Sequence, residues 1–110
     1  DNVGQLKTRL VVQGANIPFT YDGEKALHER GILSIPDFIA NAGGVICGAM
    51  EYQQINQSTA MQVIEEKIRA NTIQVLDQAK RKDIPPRDAA LQLATERVKR
   101  AMATKRWSIF

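Results

Sequence analysis

Asn16 and Asn41 are the side chains in this 110-residue chain whose type and setting point to ligand chemistry. Each offers a hydrogen-bond donor and an acceptor without carrying a charge. Each also follows a short, largely apolar run, Leu10-Val11-Val12 for the first and Ile32-Leu33-Ser34-Ile35 for the second. Around them stand Gly14-Ala15-Asn16-Ile17-Pro18 and Pro36-Asp37-Phe38-Ile39-Ala40-Asn41-Ala42-Gly43-Gly44-Val45. Paired glycines such as Gly43 and Gly44 let a backbone approach a ligand closely, which an apolar core does not require. Ligands of open parallel sheets bind just beyond the carboxyl ends of the strands, so the two asparagines are expected to reach one crevice. A plainer reading makes Asn16 a turn residue, Asn41 the end of a helical turn, and Gly43-Gly44 a helix-breaking hinge. Asp37, directly after Pro36, reads as helix-start chemistry rather than as an acid or base.

The elements that must position these residues follow from periodicity and punctuation. Arg9 to Gln13 is a β-branched and leucine run stopped by Gly14, the pattern of a buried parallel strand. Thr20 is placed to cap a helix over Tyr21 to Arg30, with Asp22 and Glu24 in its first turn and Gly31 as its stop. A second strand at Ile32 to Ile35 completes a compact βαβ unit, whose crossover is expected to be right-handed. Pro36-Asp37 opens a short helical turn interrupted at Asn41 to Gly44, and a helix is predicted from Val45 to about Gln57. Ser58 or Thr59 is placed to cap a long helix to about Lys80, with Met61, Ile64, Ile68, Val75 and Leu76 on one face. Asp83-Ile84-Pro85-Pro86 breaks it, and a last helix is expected from Pro86 to about Ala103, lined by Ala90, Leu93, Ala94, Arg97, Val98 and Ala101. Two strands are too few for an independent sheet, so further strands from upstream or from a second copy are expected. The apolar tail Trp107-Ser108-Ile109-Phe110 is expected to dock on the domain or on a neighbouring subunit.

Composition narrows the function classes. The chain carries one cysteine, Cys47, which excludes an intrachain disulfide and a cysteine-based metal cluster. With Val45, Ile46 and Ala49 around it, Cys47 reads as a buried, inert thiol. His28 is also single and reads as a solvated helix residue beside Glu24 and Glu29. No paired histidines at metal spacing, glycine-rich phosphate loop or Ser/His/Asp set is present, so no catalytic residue and no metal site are assigned. No apolar run approaches the roughly 20 residues that span a bilayer, and Asp1-Asn2-Val3-Gly4 does not open a signal peptide. The reading is therefore cytoplasmic, with no membrane partner. From Lys80 onward nine Lys or Arg face three Asp or Glu. Without interleaved aromatics or a recognition motif, that basic end reads as solvated helix ends rather than a nucleic-acid surface.

The irregular landmarks carry a resemblance. Val11 to Thr20, Arg30-Gly31-Ile32, the Pro36 to Val45 run and Glu51 resemble the C-terminal part of the Glu/Leu/Phe/Val dehydrogenase family, on its glutamate dehydrogenase branch. Ala89-Ala90 to Glu96-Arg97-Val98 resembles that family's closing helix. The resemblance implies an α/β fold, the C-terminal fragment of a Rossmann-like doubly wound domain with two short parallel strands plus mostly helices. Residues 1–44 would be the end of the dinucleotide-binding domain, and residues 45–110 helices that pack on it and return to the substrate domain. It further implies an NAD or NADP cofactor whose nicotinamide end contacts Asn16 and Asn41, with Gly43 and Gly44 close by or serving cleft closure. The substrate would be an L-amino acid or 2-oxo acid, interconverted with release or uptake of ammonia, in a homo-oligomer. The family's phosphate-binding turn, catalytic lysine and catalytic aspartate match nothing here, which places them upstream and predicts that this stretch alone is inactive.

Gly48 departs from the pattern. Three residues after Val45, glutamate-specific relatives commonly carry a serine that binds the substrate's side-chain carboxylate, and branched-chain or aromatic-specific relatives carry an apolar residue. Glycine supplies neither group, which leaves the amino acid open; Gly48 is the candidate substrate-facing position. Glu51 matches an acidic family position, as a polar structural contact or a substrate residue. The competing account is a non-catalytic helical interaction or oligomerisation module derived from such an enzyme.

Overall fold

The computed structural model describes residues 2–105, so the tail Trp107 to Phe110 lies outside the described residues. Its two strands, β1 (Leu10–Val12) and β2 (Leu33–Ile35), pair in parallel with Leu10 opposite Leu33, Val11 opposite Ser34 and Val12 opposite Ile35. Between them runs α1 (Tyr21–Glu29). The Thr20 hydroxyl accepts the Gly23 N–H at 3.1 Å, the N-terminal cap expected from sequence. At the other end Gly31 takes φ +71°, and the Gly31 and Ile32 N–H groups bond back to the His28 and Leu27 carbonyls, each at 2.9 Å. That left-handed turn is inexpensive for glycine, and it swings the chain directly into β2. The Arg30 guanidinium donates to the Val3 and Leu6 carbonyls, fastening the 3-10 turn Val3–Gln5 to α1.

After β2 come α2 (Asp37–Ala40), α3 (Gly43–Tyr52), α4 (Gln57–Lys82) and α5 (Pro86–Lys105). Ile35 and Ile39 pack with Val75 and Ala79 of α4 and Ala89 and Ala90 of α5; Ala40, Leu76, Ile84 and Leu93 close the cluster. Three alanines where the two long helices meet let their axes come close, so a small chain builds one core on β2 and α2. Asp83, at φ 51°, is the left-handed residue that reverses the chain between α4 and α5, and Pro86 begins α5 at a position where its missing N–H costs nothing. The carboxyl-terminal half of α5, with Arg97, Val98 and Ala101 exposed, extends beyond the core.

Four local expectations are corrected. β1 is not buried: Leu10 is 50% and Val12 60% exposed, because a two-stranded sheet leaves its faces uncovered. α4 is capped by Asn56, whose Oδ1 accepts the Thr59 N–H at 2.8 Å, and not by Ser58 or Thr59. The cause is Gln54 at φ 59°, after which Asn56 is extended and its side chain reaches the open first turn. Gly43 and Gly44 begin α3 rather than break a helix, since neither has a positive φ and Ala42 is already αR. Met61 is exposed, and the inward face of the first half of α4 is carried instead by the buried Ala60 and by Ile64, which faces Gly43 of α3.

Candidate functional site

The two expected asparagines meet. Asn41 Nδ2 donates to Asn16 Oδ1 at 2.7 Å, beyond the carboxyl ends of β1 and β2. Among the described residues, Asn16 Nδ2 and Asn41 Oδ1 make no hydrogen bond, which leaves the pair one free donor and one free acceptor. Asn16 is exposed and Asn41 half-buried, so the pair faces solvent from a fixed floor.

Asp37 supplies that floor. Its main-chain carbonyl accepts the Asn41 N–H at 2.8 Å, ending α2 at Asn41. Its Oδ2 accepts the Ile17 N–H at 2.8 Å, and its Oδ1 accepts from Phe38 N–H at 2.8 Å and Arg87 Nη2 at 2.9 Å. Ile17 sits at φ 49°, an unfavourable conformation for a β-branched residue that costs about 1–2 kcal/mol. With 82% of its surface exposed, Ile17 has little apolar burial to offset the strain. A hydrogen bond to a charged acceptor contributes about 1.5–3 kcal/mol, enough to hold the turn.

Arg87, at the start of α5, joins this carboxylate to α1. It pairs with Glu24 through Nε, with Asp37 through Nη2, and lies with its guanidinium carbon 5.8 Å from the centre of the Phe38 ring. Gln13 completes the cluster: Nε2 donates to Glu24 Oε1 at 2.6 Å and to Ser34 Oγ at 2.8 Å, while Oε1 accepts from Arg87 at 3.3 Å. The Ile17 N–H, seconded by the Arg87 guanidinium and the Phe38 N–H, holds the Asp37 carboxyl below its usual range against the opposing effect of burial. Glu24, then Asp37, pushes Arg87 further up, so the guanidinium stays charged. Local sequence signals mark Asp37 as helix-start chemistry alone and do not mark Arg87 or Gln13. Arg87 lies 50 residues from Asp37 and 63 from Glu24, and no local spacing signals such a contact.

The remaining candidates spread along α3. A Cβ built on Gly43 would touch Ile64 Cγ2 of α4 at 3.5 Å, so that glycine faces the neighbouring helix. Gly44 and Gly48, one turn apart, would meet nothing within 4 Å and form a bare strip. No hydrogen bond joins Gly43, Gly44 or Gly48 to the asparagine pair among the described residues. Cys47 is half-buried rather than buried, its Sγ 3.8 Å from Glu51 Oε1, because α3 has no element covering its outer side. Glu51 and His28 are exposed. Among the described residues no group of three His, Cys, Asp or Glu is placed to hold a metal, and no helix is long and apolar enough to cross a membrane.

The arrangement can hold a neutral amide group. A carboxamide needs one acceptor and one donor opposite its own amide, and Asn41 Oδ1 and Asn16 Nδ2 offer them with no free charge adjacent, since Asp37 is consumed by Arg87 and Ile17.

A family model described as Glutamate/Leucine/Phenylalanine/Valine dehydrogenase matches residues 1–106. The NADP(+)-dependent glutamate dehydrogenase of Pyrobaculum calidifontis is 40% identical over 114 residues, covering 97% of this chain and 27% of the relative. The glutamate dehydrogenase of Aeropyrum pernix is 36% identical over 118 residues, covering 97% of this chain and 28% of the relative. The chain thus spans little more than a quarter of the curated relatives it matches. In fold it is similar to the glutamate dehydrogenase of Peptoniphilus asaccharolyticus, with a TM-score of 0.81, 25% identity, and coverage of 96% of this chain and 28% of that one. The L-tryptophan dehydrogenase of Nostoc punctiforme also superposes with a TM-score of 0.81, at 24% identity, over 92% of this chain and 30% of that one.

Proposed function

The chain belongs to the Glutamate/Leucine/Phenylalanine/Valine dehydrogenase family, and from that premise we propose that it forms the C-terminal part of an NAD(P)-dependent amino-acid dehydrogenase. In that enzyme Asn16 and Asn41 would grip the nicotinamide carboxamide. The reaction is the oxidative deamination of an L-amino acid to a 2-oxo acid and ammonia. A bound nicotinamide supplies the hydride acceptor; the residues here bind and orient it, and the groups that activate water and move protons come from an upstream part of the enzyme. On this reading residues 1–44 finish the dinucleotide-binding domain, and residues 45–110 return toward the substrate domain, whose contact surface includes the exposed Val45 and Tyr52 of α3. Among the described residues β1 pairs only with β2, and its other edge fits further strands of the same sheet. The complete protein works as a homo-oligomer, and the stretch 1–110 alone is inactive.

The observation that carries the reading is the 2.7 Å hydrogen bond between Asn41 and Asn16 just beyond two parallel strand ends. Substrate choice is approached through Gly48: with no side chain and open space around it, the position lends a substrate no hydroxyl. The test is a titration of the complete gene product with NADH and NADPH, followed by their reduced-nicotinamide fluorescence. Saturable binding weakened at least about tenfold by Asn41→Ala supports the reading, in line with the loss of one well-made polar contact. Equal affinity of the wild type and Asn41→Ala refutes it.

A further inference from the structure

We propose that Asp37 is a positioning residue for the cofactor site, a single clasp that sets both asparagines. The inference rests on the reading of Asn16 and Asn41 as nicotinamide ligands. Asp37 fixes Asn41 through its own carbonyl, which takes the Asn41 N–H at 2.8 Å, and fixes Ile17 through its carboxylate, also at 2.8 Å. The Asn16–Ile17 peptide is planar, so whatever holds the Ile17 N–H also fixes the Asn16 Cα at the far edge of that plane. Asn16 and Asn41 are therefore referred to one residue from two sides, and their 2.7 Å contact is the result. The carboxylate is the indispensable half, because Ile17 at φ 49° relaxes toward a right-handed conformation once its N–H is released. That relaxation would turn the peptide plane and carry the Asn16 side chain away from Asn41. Arg87 sets the direction of the carboxylate, since its Nη2 occupies Oδ1 and leaves Oδ2 to Ile17.

The first measurement is amide hydrogen exchange of the wild-type complete protein. The Ile17 N–H belongs to a residue exposed over most of its surface, and protection of at least about a hundredfold over an unstructured amide is expected; exchange at the unprotected rate overturns the proposal. The second is nucleotide binding with NADH and NADPH. Asp37→Asn, which exchanges the anionic acceptor for a neutral one, is expected to weaken binding about tenfold. Ile17→Asn, a residue that tolerates the left-handed conformation, is expected to restore most of that loss in the Asp37→Asn background. A merely structural Asp37 would not be rescued by a change at an exposed turn, so failure of the rescue overturns the inference. If Asn41→Ala weakens binding while Asp37→Asn does not, the clasp is wrong and the cofactor site stands. If Asn41→Ala has no effect, the site reading fails and this inference fails with it.

Discussion

Asn41 Nδ2 lies 2.7 Å from Asn16 Oδ1, and 25 residues of chain separate the two. Helix α1, strand β2 and the turn of α2 intervene, each with its own start and stop signals, and they bring two neutral amides to one point above a parallel pair of strands. The bond also orients the pair, since one polar atom of each side-chain amide is used internally and the other makes no hydrogen bond among the described residues.

Replacing that contact with charge separates binding from folding. Asn41→Asp removes the donor to Asn16 Oδ1 and sets a charge beside it, so the contact as it stands is lost and the neutral donor-acceptor pair with it. Because the site is solvent-facing, the loss of stability is expected to stay within about 1 kcal/mol, while affinity for NADH or NADPH falls at least about tenfold. Thermal unfolding and nucleotide titration of the same preparation give the two numbers, and parallel losses in both contradict the expectation.

Arg87 is expected to matter for stability far more than a surface arginine does. Arg87→Met leaves the mostly buried Glu24 and Asp37 carboxylates facing each other without a cation, a loss of about 3 kcal/mol. Arg87→Lys keeps the charge but lacks the planar fork that reaches both partners, and is expected to recover only part of it. Urea denaturation of the three proteins measures the series, and a Met variant as stable as wild type counts against it.

Acid should find Asp37. Its folded carboxyl is held below the usual carboxylate range, chiefly by the Ile17 N–H, so its contribution is fully present above the unfolded value of about 4. That contribution is lost as pH falls through the lower folded value. Arg87 on α5 and, through it, Glu24 on α1 are the charged groups that face this carboxyl. Denaturation midpoints taken from pH 6 to about pH 2.5 should fall more steeply below pH 4 for wild type than for Asp37→Asn. Superimposable curves would rule the contribution out.

Gly48 is where substrate choice is expected to respond. A serine fits there, since an added Cβ meets nothing within 4 Å, and it removes a glycine from the interior of α3. Gly48→Ser is expected to raise kcat/KM for glutamate about tenfold relative to an aliphatic amino acid, the effect of one hydrogen bond to a carboxylate. An unchanged ratio in steady-state assays of the complete enzyme would remove Gly48 from the specificity surface.

Local signals were legible wherever a residue's role is set by its near neighbours. Thr20, Gly31, Pro36 and the Asp83-Ile84-Pro85-Pro86 break act on the backbone within a few residues of themselves, so the order of strands and helices, their parallel pairing and the two asparagines beyond the strand ends could be read from the chain. The cap at Asn56 was misplaced by two or three residues, because the left-handed turn at Gln54 depends on how α3 meets α4. Burial of β1 was overread, since a β-branched run looks the same whether or not its neighbouring strands are present. Only the tertiary structure could decide that Asp37 binds Ile17 and Arg87, that Gln13 is buried among Glu24, Ser34 and Arg87, and that Gly43 faces Ile64 while Gly44 faces open space. Helix starts and turns arise from local backbone sterics and hydrogen bonding, which sequence records. A buried ion pair between residues 50 or more apart exists only after the core of Ile35, Ile39, Val75 and Ala90 has brought α5 against α1 and α2, and packing of that range leaves no trace in local spacing.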